Sequence, residues 1–343
     1  NKSSDFFNTK LYTGTGSSNA QTGVGFQPDL LWFKSRSGTN NHVLFDVARG
    51  VTKGMYPNLG NAEDTLANSL SSFDSDGFTL GTDTGSGGSV NGNTNSMVAW
   101  NWKAGTTTGI NTTGSTIQPA TNGYNFNQTS GFSMVKYIGN VTSGAKVPHG
   151  LGVAPQVVIT KKLGAASNWV TYHAGLTRGQ TPEQYAMALN HIYAQDGETY
   201  YFNDTKPDAV NFTLGNSTQV NDNSYYHIAY CFAEKVGFSK FGFYDGNGST
   251  DGAFVYTGFK PAFVMTKYGN ATSNWRIFDS KRNGFNETSE GIMVNTGLTS
   301  GQNDCKIDLL SNGFKLRGGQ DDTNSNTGRY IYMAFAEAPL VGS

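Results

Sequence analysis

Residues 255–282, VYTGFKPAFVMTKYGNATSNWRIFDSKR, decide the fold because the chain contains this stretch three times. Its counterparts are GVGFQPDLLWFKSRSGTNNHVLFDVAR at residues 23–49 and GLGVAPQVVITKKLGAASNWVTYHAG at 150–175. In each, a proline (Pro28, Pro155, Pro261) stands six residues before a lysine (Lys34, Lys161, Lys267), and the lysine stands eight before His42, Trp169 or Trp275. Three residues further come Phe45, Tyr172 and Phe278, then Asp46, His173 and Asp279, with no gap in the window. Repetition at this scale is read before local propensity, because it sets the number of modules.

The flanks repeat as well. Upstream of each window a short aromatic strand ends in a glycine turn, aligning Tyr12, Tyr137 and Tyr244 and then Gly14, Gly139 and Gly246. Downstream, SDGFTLG, AVNFTLG and SNGFKLR align Phe78, Phe212 and Phe314, and each unit closes on an apolar run: SMVAWNWKA, YYHIAYCFAEK or YIYMAFAEAP. Inside the window, DLLWFKS (29–35) is nearly continuously apolar, which suits a strand covered on both faces. The proline ahead of it has no N–H and marks a strand start or an edge. The prolines lie 127 and then 106 residues apart, too far for a solenoid turn and right for a β-domain of roughly 100 residues. The expected architecture is all-β: three tandem antiparallel β-sandwich domains, jelly-roll or lectin-like, over residues 1–104, 130–236 and 237–343. Residues 105–129 read as a linker or an arm lying on a neighbour, and the second and third units, having no spacer, are expected to pack together.

Composition narrows the function classes. Charged residues are 14% and hydrophobic ones 36%, with 44 glycines, while aromatics reach 13%; this is a polar, turn-rich chain with enough ring area for ordered packing. A net charge of −1 lacks the electrostatic footprint of a nucleic-acid binder. No apolar run approaches the roughly 18 residues of a spanning helix, and no signal peptide opens the chain. It begins with Asn rather than Met, as a processed or partial chain would. Cys231 and Cys305 form no disulfide framework, and Cys231, between Tyr230 and Phe232, reads as a small buried hydrophobe. Residues 178–197, RGQTPEQYAMALNHIYAQDG, read as the one helical stretch, with Tyr185, Leu189 and Ile192 on one face, and residues 50–72 allow one short helical turn. The Asn-Gly pair in residues 81–95 favours a primed hairpin turn.

Several constellations invite a chemical reading. Asp245, Asn247, Ser249 and Asp251 start like a calcium loop, but Thr250 stands where the glycine belongs and Tyr256 where the bidentate Glu belongs. The equivalent turns in the other units carry no carboxylate, so the turn reads as built for its backbone, with no metal expected. The five histidines are scattered, and His173 replaces Asp46 and Asp279, an exchange that a working general acid or base does not tolerate. Asp74 and Asp76 could pair for acid–base work, but SFDSDGF reads as a hairpin turn. No cofactor and no catalysis are expected. Within the repeated window, the structural reading pairs Lys34, Lys161 and Lys267 with Asp46 or Asp279 and sends the aromatics to the core. In the functional reading, Asn168-Trp169 and Asn274-Trp275 present an amide and an indole face to a glycan. Binding is otherwise expected in the loops that differ between units.

GFQPDLLWFKSR, HGLGVAPQVVITKK and FVYTGFKPAFVMTK, with the closers VAWNWKAG, AYCFAEKVGFSKFG and YMAFAEAP, resemble a repeated domain of uncharacterised function in tailed phages, many of them marine. The resemblance covers nearly the whole chain. It implies a virion-surface, tail-fibre-like component that assembles with other virion proteins, trimeric and C-terminal in a longer polypeptide, and it carries over no catalytic residues. His42 departs from the pattern by standing in the tryptophan position. The leading expectation is a structural and adhesion protein recognising host-surface glycan or protein, with no nucleic acid or membrane among its partners. The alternatives are a purely architectural virion part (capsid decoration, head fibre or tail spacer) and, third, a glycan hydrolase, which would need two carboxyls about 5–10 Å apart in a cleft.

Overall fold

The computed structural model describes residues 2–83, 89–177, 181–197, 199–299, 301 and 305–336. Within them the chain is all-β, and the three repeats are three lobes with one strand plan. Each lobe has a larger antiparallel sheet in the order leading, closing, central and hairpin strand. The leading strands are Phe7–Thr13, Phe132–Ile138 and Ser239–Asp245, and the closing strands are Ser96–Trp102, Tyr226–Phe232 and Arg329–Ala336. The central strands are Leu30–Ser35, Val157–Lys162 and Pro261–Tyr268, and the hairpin strands are Val43–Asp46, Val170–His173 and Arg276–Asp279. The register is common to all three: Leu30 pairs with Trp102, Val157 with Phe232 and Phe263 with Phe335. A smaller sheet carries the downstream aromatic strand of each lobe, Gly77–Leu80, Asn211–Leu214 or Gly313–Leu316.

The apolar runs are continuous because the larger sheets are buried on both faces. Along the first closing strand, Met97 and Ala99 point into the lobe's own core with Phe78 and Leu80 of the smaller sheet, while Val98, Trp100 and Trp102 point the other way. The second strand divides likewise, Ala229 and Cys231 against Ile228, Tyr230 and Phe232, and so does the third, Tyr332 and Ala334 against Ile331, Met333 and Phe335. Alternation along a strand sends successive side chains to opposite faces. The second set from all three lobes converges in one shared cluster, so the lobes pack around a pseudo-threefold axis and residues 105 onward do not separate them.

Three expectations are corrected and one pair of alternatives is decided. Of the two readings of residues 105–129, the arm is the one seen: Pro119–Asn127 is a strand that adds to the outer edge of the second lobe's leading strand, and Asn125 Nδ2 reaches back to Asp29 Oδ1 at 3.2 Å. Residues 181–197 hold a single 3-10 turn, Pro182–Gln184, and the strand Met187–Ala188; residues 178–180 lie outside the described part. Tyr185 and Leu189 satisfy a period of two as well as a helical one, and with Met187 they face the shared cluster. No helix forms in residues 50–72, where turns and the short pair Lys53–Gly54 and Asp64–Thr65 stand instead. Neither Asn91 nor Gly92 adopts the positive φ of a primed turn, and the remainder of that connection, residues 84–88, is outside the described part. Cys231 and Cys305 are free thiols buried in the cores of different lobes.

Candidate functional site

The repeated window lines the seams between lobes. Trp169 Nε1 donates to the carbonyls of Tyr56 and Leu59 in lobe 1, both at 3.1 Å, and Trp275 Nε1 to Ala188 O in lobe 2 at 3.1 Å. His42 Nε2 lies 3.0 Å from Met293 O in lobe 3. Lys161, Lys267 and Lys34 each donate at 3.2 Å across the same seams, to the carbonyls of Gly60, Ile192 and Gly297, four residues beyond the first acceptors. Lobe 1 thus grips lobe 3, lobe 3 grips lobe 2 and lobe 2 grips lobe 1, closing a ring. Between the two acceptors of each seam sits an asparagine that is not among the candidates named from the sequence. Asn58, Asn190 and Asn295 accept from the backbone N–H of His42, Trp169 and Trp275 at 2.9–3.0 Å and donate to Asn41, Asn168 and Asn274. Its signal was present in the sequence, an asparagine three residues after Met55, Met187 and Ile292.

These positions correct two expectations. The indoles of Trp169 and Trp275 are 0% and 2% exposed, so neither offers a face to a sugar ring, and the half-buried amides of Asn168 and Asn274 are engaged in the seam bonds. The lysines do not pair with the aspartates. Leu30 opposes Asp46 in the hairpin, which leaves Lys34 and Asp46 at opposite ends. Burial lowers the amines, Lys34 to about 8 and Lys161 and Lys267 to about 7. Depressed lysines often mark reactive amines, but these three are fully buried and each donates to backbone carbonyls.

The departures from the repeat compensate one another. Where His42 replaces tryptophan, Trp32 replaces Ile159 and Met265, and Trp32 Nε1 donates to His42 Nδ1 at 2.9 Å; the indole has moved ten residues while the cross-seam bond is kept. Asp46 and Asp279 are buried and paired at 2.6 and 2.5 Å with Arg49 and Arg282. Each also accepts from the next lobe's closing strand, from Tyr230 Oη (2.5 Å) and Trp100 Nε1 (3.0 Å). The equivalent residue of the third closing strand is Met333, which has no proton to donate. Its partner is His173, whose Nδ1 accepts from Gly175 N (2.9 Å), so Nε2 donates to Tyr332 O (3.0 Å), and Leu176 takes the arginine's place. A carboxylate, its arginine and its donor have been removed together, as burial of charge requires.

The glycine turn is held by a second repeated asparagine. Asn91, Asn221 and Asn324 accept from the backbone of Thr15, Asn140 and Asn247 and donate to two or more carbonyls or amides around the turn. The hydroxyls of Tyr12, Tyr137 and Tyr244 donate to the carbonyl just before that asparagine, at 2.5–2.7 Å. Gly14, Gly139 and Gly246 are required because a Cβ would stand 2.2–2.3 Å from backbone atoms of this segment. In lobe 3, Asp245 pairs with Arg329 and Asp251 with Lys315, so each carboxylate faces a cation. Asp76 caps Gly23 N and Gly25 N, and Asp74 accepts from Ser72 and Thr79, as a turn requires.

Around this turn lies an open groove of about 710 Å³, lined by Thr177 of lobe 2 and by Asp245, Asn247, Asn270, Asn326, Thr327 and Arg329 of lobe 3. Its volume is that of a small-ligand site. Arg329 binds Asp245 through two bonds, Nε to Oδ1 at 2.8 Å and Nη2 to Oδ2 at 3.0 Å, and its guanidinium lies 4.3 Å from the centre of the Phe243 ring. Hydrogen bonding to Arg329 holds the Asp245 carboxyl below its ordinary value. By register, Asp245 and Arg329 correspond to Thr13 and Ser96 in lobe 1 and to Ile138 and Tyr226 in lobe 2, so the pair belongs to lobe 3 alone. Lobe 3 also exposes Phe243, Phe254, Tyr256 and Phe285, whereas lobe 1 exposes no aromatic ring of this kind among the described residues.

A family model described as "Domain of unknown function (DUF7483)" matches residues 2–339. No curated protein and no solved structure matches.

Proposed function

The chain belongs to the DUF7483 family, and we propose that it is a non-catalytic recognition module on a virion surface, holding a host-surface glycan at the edge of its third lobe. The observation that carries this reading is the charge pair that lobe 3 adds to a turn all three lobes share. Asn326 and Thr327 stand where lobe 1 has Asn93 and Thr94 and lobe 2 has Asn223 and Ser224, but Asp245 and Arg329 stand where the other lobes have Thr13 and Ser96 or Ile138 and Tyr226, and with Asn270 they line the groove. A rigid scaffold with a locally varied polar rim is how binding residues are commonly presented. Each lobe is a lectin-like β-sandwich in this reading, supported by the apolar cluster that its larger and smaller sheets share. The ring of seams supports a chain that supplies by itself what three copies of a simpler lobe would, and that docks on other virion proteins as one threefold-like body. A hydrolase gains no support from the groove, whose one carboxylate among the described residues is bound to Arg329. The test is binding of the full chain to a glycan array and to host cells, with Asn270→Ala and Asn326→Ala as controls; binding is expected and should fall at least tenfold in both variants.

The architectural alternative is favoured by one observation, the burial of all five tryptophans between lobes, as a spacer would have it. It predicts no binding across a broad glycan panel together with stable incorporation into particles.

A further inference from the structure

The groove's charge arrangement specifies the class of ligand, an inference that rests on the glycan reading above. Among its described lining residues one anion and one cation stand, and they neutralise each other: both oxygens of Asp245 and two nitrogens of Arg329 are committed to the pair. The flat face of the guanidinium is covered by Phe243. An incoming carboxylate or sulfate would need the same planar fork of donors and would meet the Asp245 charge first, and that fork is the strong mode by which arginine takes an anion. What remains accessible is a set of groups that donate and accept at once. Asn326 and Thr327 make no side-chain bond among those described, and Asn270 uses its oxygen for Gln195 Nε2 (3.2 Å), which leaves its NH2 group facing the groove. Amides and hydroxyls of this kind complement vicinal hydroxyls, each of which is both donor and acceptor. The half-exposed Phe243 ring supplies an apolar surface beside them.

We propose that the lobe 3 groove selects uncharged, hydroxyl-rich saccharides and rejects acidic ones, with Asp245 acting as the specificity-determining residue. The experiment compares the full chain with Asp245→Asn on two sets of oligosaccharides matched in length, one of neutral hexoses and N-acetylhexosamines, the other ending in sialic or uronic acid, at 50 and 300 mM salt. The wild type is expected to bind neutral members with an affinity that changes less than twofold with salt. Asp245→Asn, which frees the Arg329 fork, is expected to shift the acidic-to-neutral preference at least tenfold toward acidic ligands, and that gain should fade at 300 mM salt. The pair is at the surface and the exchange is nearly isosteric, so folding is checked by an unchanged melting temperature. A wild type that prefers acidic glycans, or neutral binding that Asn326→Ala and Asp245→Asn both leave untouched, overturns the inference while the glycan reading survives. A wild type that binds neither set overturns both.

Discussion

A single exchange in the repeat, His173 for aspartate, shows how much of this molecule is set by what lies across a seam. His173 faces Leu176 and the third closing strand, where Met333 donates nothing, so a carboxylate there would be buried without partners. His173→Asp is expected to cost about 3–5 kcal/mol in denaturant unfolding, as an uncompensated buried charge does. Adding Leu176→Arg, which restores the pairing seen at Asp46–Arg49, is expected to recover at least half of that loss; a double variant no better than the single one would refute the compensation. The buried histidines also predict an acid limit. Burial holds His149, His173 and His227 down at about 4, against an ordinary value near 6.5. Between those values the unfolded chain takes up protons that the folded chain does not, so stability falls as pH drops from 6.5 to 4. Burial raises Asp29 to about 6, which works the other way between 3.8 and 6, but it is one group against four, since burial lowers His42 as well. Chemical denaturation at pH 7, 5.5 and 4.5 should show the midpoint falling steadily. The repeat made the equivalence of His42, Trp169 and Trp275 legible, yet not the movement of the indole to Trp32, because that exchange conserves volume in space rather than along the chain.

Elements were read best where their pattern had one interpretation. The central strand expected at residues 29–35 is Leu30–Ser35, since an unbroken apolar run of that length bounded by proline and glycine fits little else. The stretch at 181–197 failed because Tyr185 and Leu189 are four apart, a spacing common to a helix face and a strand face, and the shared cluster decided between them. The turn after the leading strand was read correctly as a backbone device, but its holder was invisible: Asn324 is 77 residues from Asn247, the residue it braces. Asn324→Ala removes donors to Asn247, Ser249 and Gly318, and leaves the Asn247 N–H without its acceptor. A loss of about 2–4 kcal/mol is expected, with amide exchange accelerating first at residues 246–252; uniform acceleration across all lobes would contradict a local role for this asparagine.

At the scale of the whole molecule, three homologous units were legible and so was the packing of the second on the third, but the ring that all three close was not. Composition and period describe each lobe's own core, but nothing in a single strand says that its second apolar face belongs to a cluster shared with two other lobes. Because that cluster draws on Phe7, Phe232 and Phe335 together, the lobes are expected to unfold in one cooperative transition, with calorimetric and van't Hoff enthalpies in agreement. Phe335→Ala, at the centre, should cost about 3–5 kcal/mol and lower that single transition without splitting off lobe 3; a separate early melt of residues 237–336 would count against the shared core. The placement of the indoles has an optical consequence. Trp32, Trp100, Trp102, Trp169 and Trp275 all lie in the common cluster and none in a lobe's private interior, so intrinsic emission is a gauge of ring closure alone. In the single transition expected above, the red shift of the emission and the loss of far-ultraviolet strand dichroism should therefore share one midpoint.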